Sequence, residues 1–237
     1  MHDTVEHGGR VEVGPDFRHV ETWVFDLDNT LYHWECDLFV QMDRRMNEFI
    51  VDLLGVDMAA AAHLRQSLSQ TYGSTMRGLM ELHGQAPAPF LDFVHRIDCS
   101  VVPPNLALDQ ALSRLPGRKL VFTNATERHA ANVLDRLGVA HHFSDVFDVI
   151  HADYLPKPRP DAYARFVRRH AVRADRTAMF EDMARNLAPA AALGMTTVWV
   201  RNGRPNAQMG PDDDFVHHVA DELTPWLAQV VVASEEC

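Results

Sequence analysis

Val20-Glu21-Thr22-Trp23-Val24-Phe25-Asp26-Leu27-Asp28-Asn29-Thr30 is the stretch that decides the fold. Its first six residues are rich in β-branched and aromatic side chains and read as a buried strand ending at Asp26. Residues at i and i+2 of an extended chain point to the same side. Asp26 and Asp28 therefore crowd two carboxylates onto one spot at the strand's mouth. Asp, Asn and Thr are also turn formers, so a plain turn or helix cap is the simpler reading of the same residues. Two like charges this close raise each other's pKa unless a cation intervenes. The pair thus suits a hard metal ion and acid/base work.

Downstream the periodicity changes. From about Asp37 to Leu115 it is helical: Phe39, Met42, Met46, Phe49, Ile50, Leu53 and Leu54 recur at three- and four-residue steps, with Gly55 as a stop. Further helices are predicted at 58–70, 75–82 and 87–96, before Pro103-Pro104 breaks the run. Strands and helices then alternate: strands at 119–122, 146–150, 177–180, 195–200 and 215–219, helices at 127–137, 160–170 and 184–193, and a last helix capped at Thr224-Pro225. Strands separated by helices of this length form a parallel sheet covered on both faces. The expected architecture is an α/β core, residues 1–31 and 106–237, interrupted after its first strand by an all-helical insert, residues 32–105. Residues 1–19 read as a polar lead-in that is partly disordered.

Ligands of open parallel sheets bind at the carboxyl ends of the strands. Three more groups fall there. Thr123-Asn124 follow the second strand, where a hydroxyl and backbone amides before a helix make an anion site or a simple N-cap. Lys157, between Pro156 and Pro158, is a stiffened cation fit for phosphate or an ordinary surface lysine. Glu181-Asp182 end the fourth strand as a carboxylate pair facing Asp26 and Asp28, or as the acidic first turn of a helix.

The chain of 237 residues carries 22 Lys plus Arg against 33 Asp plus Glu, a net charge of −11, with 46% apolar and 23% charged residues. That composition is globular. The acidity argues against a nucleic-acid polymer or an anionic membrane as partner, and leaves room for a small anionic substrate received by a metal or local cation. Three cysteines, Cys36, Cys99 and Cys237, lack both disulfide and metal-ligand spacing. No apolar run is long enough to span a bilayer, and the opening residues carry no apolar segment of the secretory kind, so a cytoplasmic protein is expected. The fourteen histidines, without HxxxH or HExxH spacing, read mostly as surface residues. The sequence sets no oligomeric state.

Asp26/Asp28/Thr30, Thr123, Lys157 and Glu181/Asp182, in that order and each at a strand end, resemble the four motifs of the haloacid-dehalogenase (HAD) superfamily. The likeness spans roughly residues 20–200, and the helical insert matches that family's cap. FDLDNTLY at 25–32, YGSTMRGLM at 72–80, FTNATERHAANVLDRLG at 122–138 and MFEDMARNLAPAAALGMTTVWV at 179–200 are similar to its pyrimidine 5′-nucleotidase-like members. The resemblance implies phosphomonoester hydrolysis of a small phosphorylated metabolite through an aspartyl-phosphate on Asp26. Asp28 would be the acid/base, and Thr123 and Lys157 would hold the phosphoryl oxygens with help from backbone amides near Leu27 and Asn124. Mg²⁺ would lie on Asp26, the Asp28 carbonyl and Asp182, with Glu181 on a metal-bound water. Members that dehalogenate lack an acid at the position of Asp28. Asn186 stands where many members carry another acid, which bears on magnesium affinity. The cap would select the substrate, with Tyr72, Ser74, Thr75, Met76 and Arg77 as candidates facing the leaving group; Tyr72 and Met76 also read as packing residues, and Arg77 as one half of an ion pair. The competing readings are a phosphoglycolate or phosphosugar enzyme of the same family, a phospho-aspartate signalling module, and a binding module without catalysis.

Overall fold

The computed structural model describes residues 14–202 and 214–233. The expectations for the start of the lead-in and for Cys237 lie outside the described residues.

Six parallel strands form one sheet: β1 (Thr22–Phe25), β2 (Arg118–Phe122), β3 (Asp145–Phe147), β4 (Thr177–Glu181), β5 (Thr196–Val200) and β6 (His218–Ala220), in the order β3-β2-β1-β4-β5-β6. β1 is central, flanked by β2 and β4, so the order reverses around it and a cleft opens at its carboxyl end. Alternate side chains feed opposite layers. Trp23, Phe25, Val121, Ala178, Phe180, Val198 and Val200 pack on one face. Val24, Leu120, Phe122, Met179 and Trp199 pack on the other. The first layer is completed by α5 (Leu106–Ser113), α6 (Glu127–Leu137) and α9 (Leu223–Leu227), the second by α7 (Pro160–His170) and α8 (Ala188–Ala192).

Between β1 and α5 lie α1 (Leu38–Leu54), α2 (Met58–Tyr72), α3 (Thr75–His83) and α4 (Pro87–Val94). They share a separate apolar cluster built on Met42, Ile50, Leu68, Leu79, Phe90 and Leu91. Gly55, Gly73 and Gly84 end three of these helices with left-handed backbone. α2 and α3 touch at Gly78, where an added Cβ would lie 2.6 Å from the Leu68 side chain.

Four expectations need correction. The strand predicted at 146–150 stops at Phe147, because Asp148 turns inward and accepts from the backbone of Glu127 at 2.9 Å and of His151 at 2.8 Å. The helix predicted at 184–193 divides into a 3₁₀ turn, Ala184–Asn186, and α8, because Pro189 has no N–H to continue one ladder. The last strand begins at His218, not Phe215, and the last helix is entered from Glu222, ahead of Thr224-Pro225.

Candidate active site

Asp26 leaves β1 with its backbone N–H still bonded to Phe180 at 2.9 Å, so the nucleophile candidate is fixed by the sheet itself. Its Oδ2 accepts from the Thr30 hydroxyl at 2.8 Å, and the same hydroxyl accepts from the Asp182 N–H at 3.1 Å. Asn29 adopts φ 63, and Asn202 donates to its carbonyl at 2.5 Å, which pins the turn after β1. The strand end is thus tied to the end of β4 by a three-residue relay.

Lys157 is 1% exposed and spends all three ammonium hydrogens inside the protein. It donates to Asp26 Oδ1 at 2.7 Å, Glu181 Oε2 at 2.6 Å and the Phe122 carbonyl at 2.8 Å. Asn124 grips the backbone of Lys157 from both sides: its amide accepts from the N–H at 2.8 Å and donates to the carbonyl at 3.3 Å. The surface-lysine alternative is thereby removed. Thr123 is buried, and its hydroxyl accepts from the Ala125 N–H at 3.0 Å; the N-cap of α6 is Thr126 instead.

Electrostatics follow from this crowding. Burial, reinforced by the Glu181 charge, pushes the Asp26 carboxyl up despite the opposing pull of Lys157. Burial also works against the Lys157 ammonium, but Asp26 and Glu181 outweigh it and hold the pKa above its ordinary value.

Asp28 lies in a different environment. Tyr32 donates to its Oδ1 at 2.7 Å, and His129 Nε2 stands 2.9 Å from the same oxygen. Burial of Asp28 favours the neutral form, yet the His129 charge and the two hydrogen bonds prevail and lower its pKa. Burial disfavours charge on His129 too, but Asp28 raises that ring to about 10. His95, stacked on His129 with centroids 4.8 Å apart, is driven down to about 4 by burial and by its charged neighbour. The sequence offered no signal for either ring: a histidine at a helical core position looks like any other, and His129 proves fully buried where surface placement was expected.

One oxygen each from Asp26, Glu181 and Asp182 lies within 4.8 Å of the others, and all three residues are buried. With Asp28 these are four carboxyl groups facing the cations Lys157 and His129; fully ionised, they leave two negative charges in excess. The Asn186 side-chain oxygen is buried and has no hydrogen-bond partner among the described residues. Hard oxygen donors, an excess of two charges and a spare neutral oxygen fit Mg²⁺.

A cavity of about 590 Å³ opens over these groups, lined from below by Asp26, Asp28, Thr123, Asn124, Lys157 and Asp182 and from above by α1, α2, α3 and α4. Of the cap candidates, Ser74 and Met76 line it. Tyr72, Thr75 and Arg77 are not among the lining residues. Tyr72 packs into the helical cluster, Thr75 bonds the Arg65 carbonyl at 3.4 Å, and Arg77 pairs with Glu81 one turn on. The helix phase, which spacing alone did not fix, turns them away. Arg65, Gln66 and Ser69 of α2 line the cavity instead, with Arg185 on the core side. Arg65 is held there by Asp43 at 2.6 Å and Asn47 at 2.9 Å.

Comparison with known proteins agrees with this geometry. The family model described as haloacid dehalogenase-like hydrolase matches residues 20–194. The chain is 26% identical over 193 residues to Phosphate metabolism protein 8 of Saccharomyces cerevisiae, covering 74% of this chain and 60% of the yeast protein. It therefore spans about three-fifths of that relative's length. It is 27% identical over 232 residues to Phosphoglycolate phosphatase of Vibrio cholerae, covering 89% and 96% of the two chains. Among solved structures, L-2-haloacid dehalogenase from Xanthobacter autotrophicus superposes with a TM-score of 0.55 at 17% identity, over 88% of this chain and 97% of that one. A HAD phosphatase from Thermococcus onnurineus superposes with a TM-score of 0.57 at 17% identity, over 86% and 94%.

Proposed function

The chain belongs to the haloacid dehalogenase-like hydrolase family, and on that footing we propose that it is a Mg²⁺-dependent phosphomonoester hydrolase acting through an aspartyl-phosphate on Asp26. One observation carries the reading. Asp26 at the end of β1, Lys157 in the loop after β3, and Glu181 and Asp182 at the end of β4 meet in one buried cluster, with Asp28 beside it at the same cavity.

An Asp26 oxygen attacks phosphorus and the bond to the ester oxygen breaks. Asp28, protonated as the anionic substrate settles beside it and raises its proton affinity, gives that proton to the departing alkoxide. A water then loses a proton to Asp28 and attacks phosphorus, the Asp26–phosphorus bond breaks, and inorganic phosphate leaves. Thr123 and Lys157 hold the non-bridging oxygens, Lys157 by turning toward the phosphoryl group the N–H that it gives Asp26 in the free protein, and Asn124 keeps the Lys157 loop in place. Asp26, the Asp28 carbonyl and Asp182 would hold Mg²⁺, with Glu181 behind it; when bound, the ion screens the repulsion between the attacking carboxylate and the phosphate dianion. An acid at Asp28 favours departure of an alkoxide over departure of a halide, because halide needs no proton.

The substrate proposed is a pyrimidine nucleoside 5′-monophosphate. A cavity of about 590 Å³ is large enough for a nucleoside beyond the phosphate, and Arg65, Gln66 and Ser69 give it polar contacts. A second reading, phosphoglycolate, is favoured by the Vibrio relative and by Arg185, a cation placed to meet a carboxylate. The protein is proposed to act in the cytoplasm; no helix among the described residues is long and apolar enough to cross a membrane. Phosphate release with Mg²⁺ from UMP, CMP, dUMP, AMP, phosphoglycolate and phosphosugars tests the reading. Preference for UMP, CMP and dUMP supports it, preference for phosphoglycolate supports the second, and no release from any phosphate monoester overturns both.

A further inference from the structure

Asp28 stands on a turn, two residues past the nucleophile, and nothing in the sheet ladder fixes its side chain. An acid/base carboxylate must nevertheless aim one oxygen at the reacting ester to within a fraction of an ångström. The structure supplies two donors, and both take the same oxygen. The Tyr32 hydroxyl reaches Asp28 Oδ1 at 2.7 Å and His129 Nε2 lies 2.9 Å from it. No hydrogen bond to Oδ2 occurs among the described residues, and Asp28 lines the cavity.

Both donors are withdrawn from water. Tyr32 is 4% exposed and His129 1% exposed, so neither contact competes with solvent. His129 is held in turn. Its α6 backbone N–H bonds the Thr126 cap at 3.3 Å, and its ring stacks on His95, at the end of α4, with an interplanar angle of 24°. The His95 Nδ1 lies 3.4 Å from the Thr126 hydroxyl. A ring from the helical insert therefore backs the ring that grips the core carboxylate.

We infer that Tyr32 and His129 are positioning residues, which clamp the Asp28 carboxylate by Oδ1 and leave Oδ2 to exchange protons with the leaving group and the attacking water. This rests on the phosphohydrolase reading and adds the residues that aim its acid/base group. A misaimed acid has a specific signature. It slows departure of an alkoxide, which needs a proton, and spares departure of p-nitrophenolate, which does not.

The test compares kcat/KM, which reports the steps up to leaving-group departure, for p-nitrophenyl phosphate and for whichever alkyl phosphate the wild type turns over fastest. His129→Ala and Tyr32→Phe are expected to lower the alkyl value by about a hundredfold and the aryl value far less. His129→Gln, whose amide N–H reaches as far as Nε2, is expected to recover most of the alkyl loss. The concentration of Mg²⁺ giving half-maximal rate should stay within about twofold of wild type, since the clamp touches none of the carboxylates at the metal cluster. If His129→Ala fails to fold, Tyr32→Phe, which deletes one oxygen, carries the test alone. Equal losses on both substrates, or no loss in Tyr32→Phe, overturn the clamp. A wild type inert toward both substrates overturns the phosphohydrolase reading instead, so the two failures are distinct.

Discussion

The mouth of the sheet and the helices above it are built in opposite ways. At the mouth, Asp26, Thr30, Asn124, Lys157 and Glu181 are each held by hydrogen bonds that cross between chain-distant segments. In the helical insert the packing is mainly apolar, and its polar groups at the cavity, Asp43, Arg65, Gln66, Ser69, Ser74 and His95, are carried on helices or at their ends. A hydrogen-bonded cluster fixes positions to tenths of an ångström and tolerates no substitution. An apolar helix face tolerates many and can change what it admits.

That contrast is broken most sharply at the nucleophile. Asp26→Asn is expected to cut turnover by at least about 10⁴-fold, measured as phosphate release, because it replaces the proposed nucleophile with a neutral amide. Residual activity within about tenfold of wild type would deny the mouth its special status. Lys157→Met should act on stability as well as rate. It leaves Asp26 and Glu181 buried without their cation and is expected to cost about 3–5 kcal/mol in denaturant unfolding, with Mg²⁺ recovering part of the loss by binding the folded form.

Two glycines compare the regions directly. Gly117 has φ +78, and a Cβ there would lie 2.2 Å from the Glu21 carbonyl oxygen, a backbone atom at the foot of β1. Gly117→Ala should therefore destabilise by well over about 1 kcal/mol. Gly78→Ala meets only the Leu68 side chain. It should cost about 1–3 kcal/mol by forcing α2 and α3 apart, and it should raise KM for nucleotides more than for p-nitrophenyl phosphate. Smallest is Arg77→Ala. With its guanidinium on Glu81 and outside the cavity lining, loss of about 0.3–0.5 kcal/mol is expected, with KM unchanged for both substrate types. A selective rise in nucleotide KM would return Arg77 to the site.

The same contrast explains how far the sequence could be read. Strand-end groups were legible because a parallel sheet prescribes where carboxyl ends converge, so Asp26, Thr123, Lys157 and Glu181 needed only correct strands around them. β3 was overrun because Asp148 ends the ladder through bonds to Glu127 and His151, which no local pattern announces. Pro189 was visible, yet the run of alanines around it masked the break. Above the mouth, reading failed at the level of helix phase: Arg65 and Arg77 are equally plausible by type, and only packing decides that the first lines the cavity. Tyr32 and His129 were missed because their meaning lies in one shared oxygen of Asp28, reached from 4 residues away by the first and from 101 by the second, and His95 because it acts only by stacking on His129.

The most direct measurement is capture of the covalent intermediate. Asp28→Asn retains the nucleophile but loses the base that activates water, so phosphoenzyme formed with Mg²⁺ and an activated aryl phosphate should persist through acid quench. Peptide mass mapping is predicted to find the added phosphoryl group on Asp26. A phosphoryl group on any other residue, or full product release with none trapped, would contradict the account.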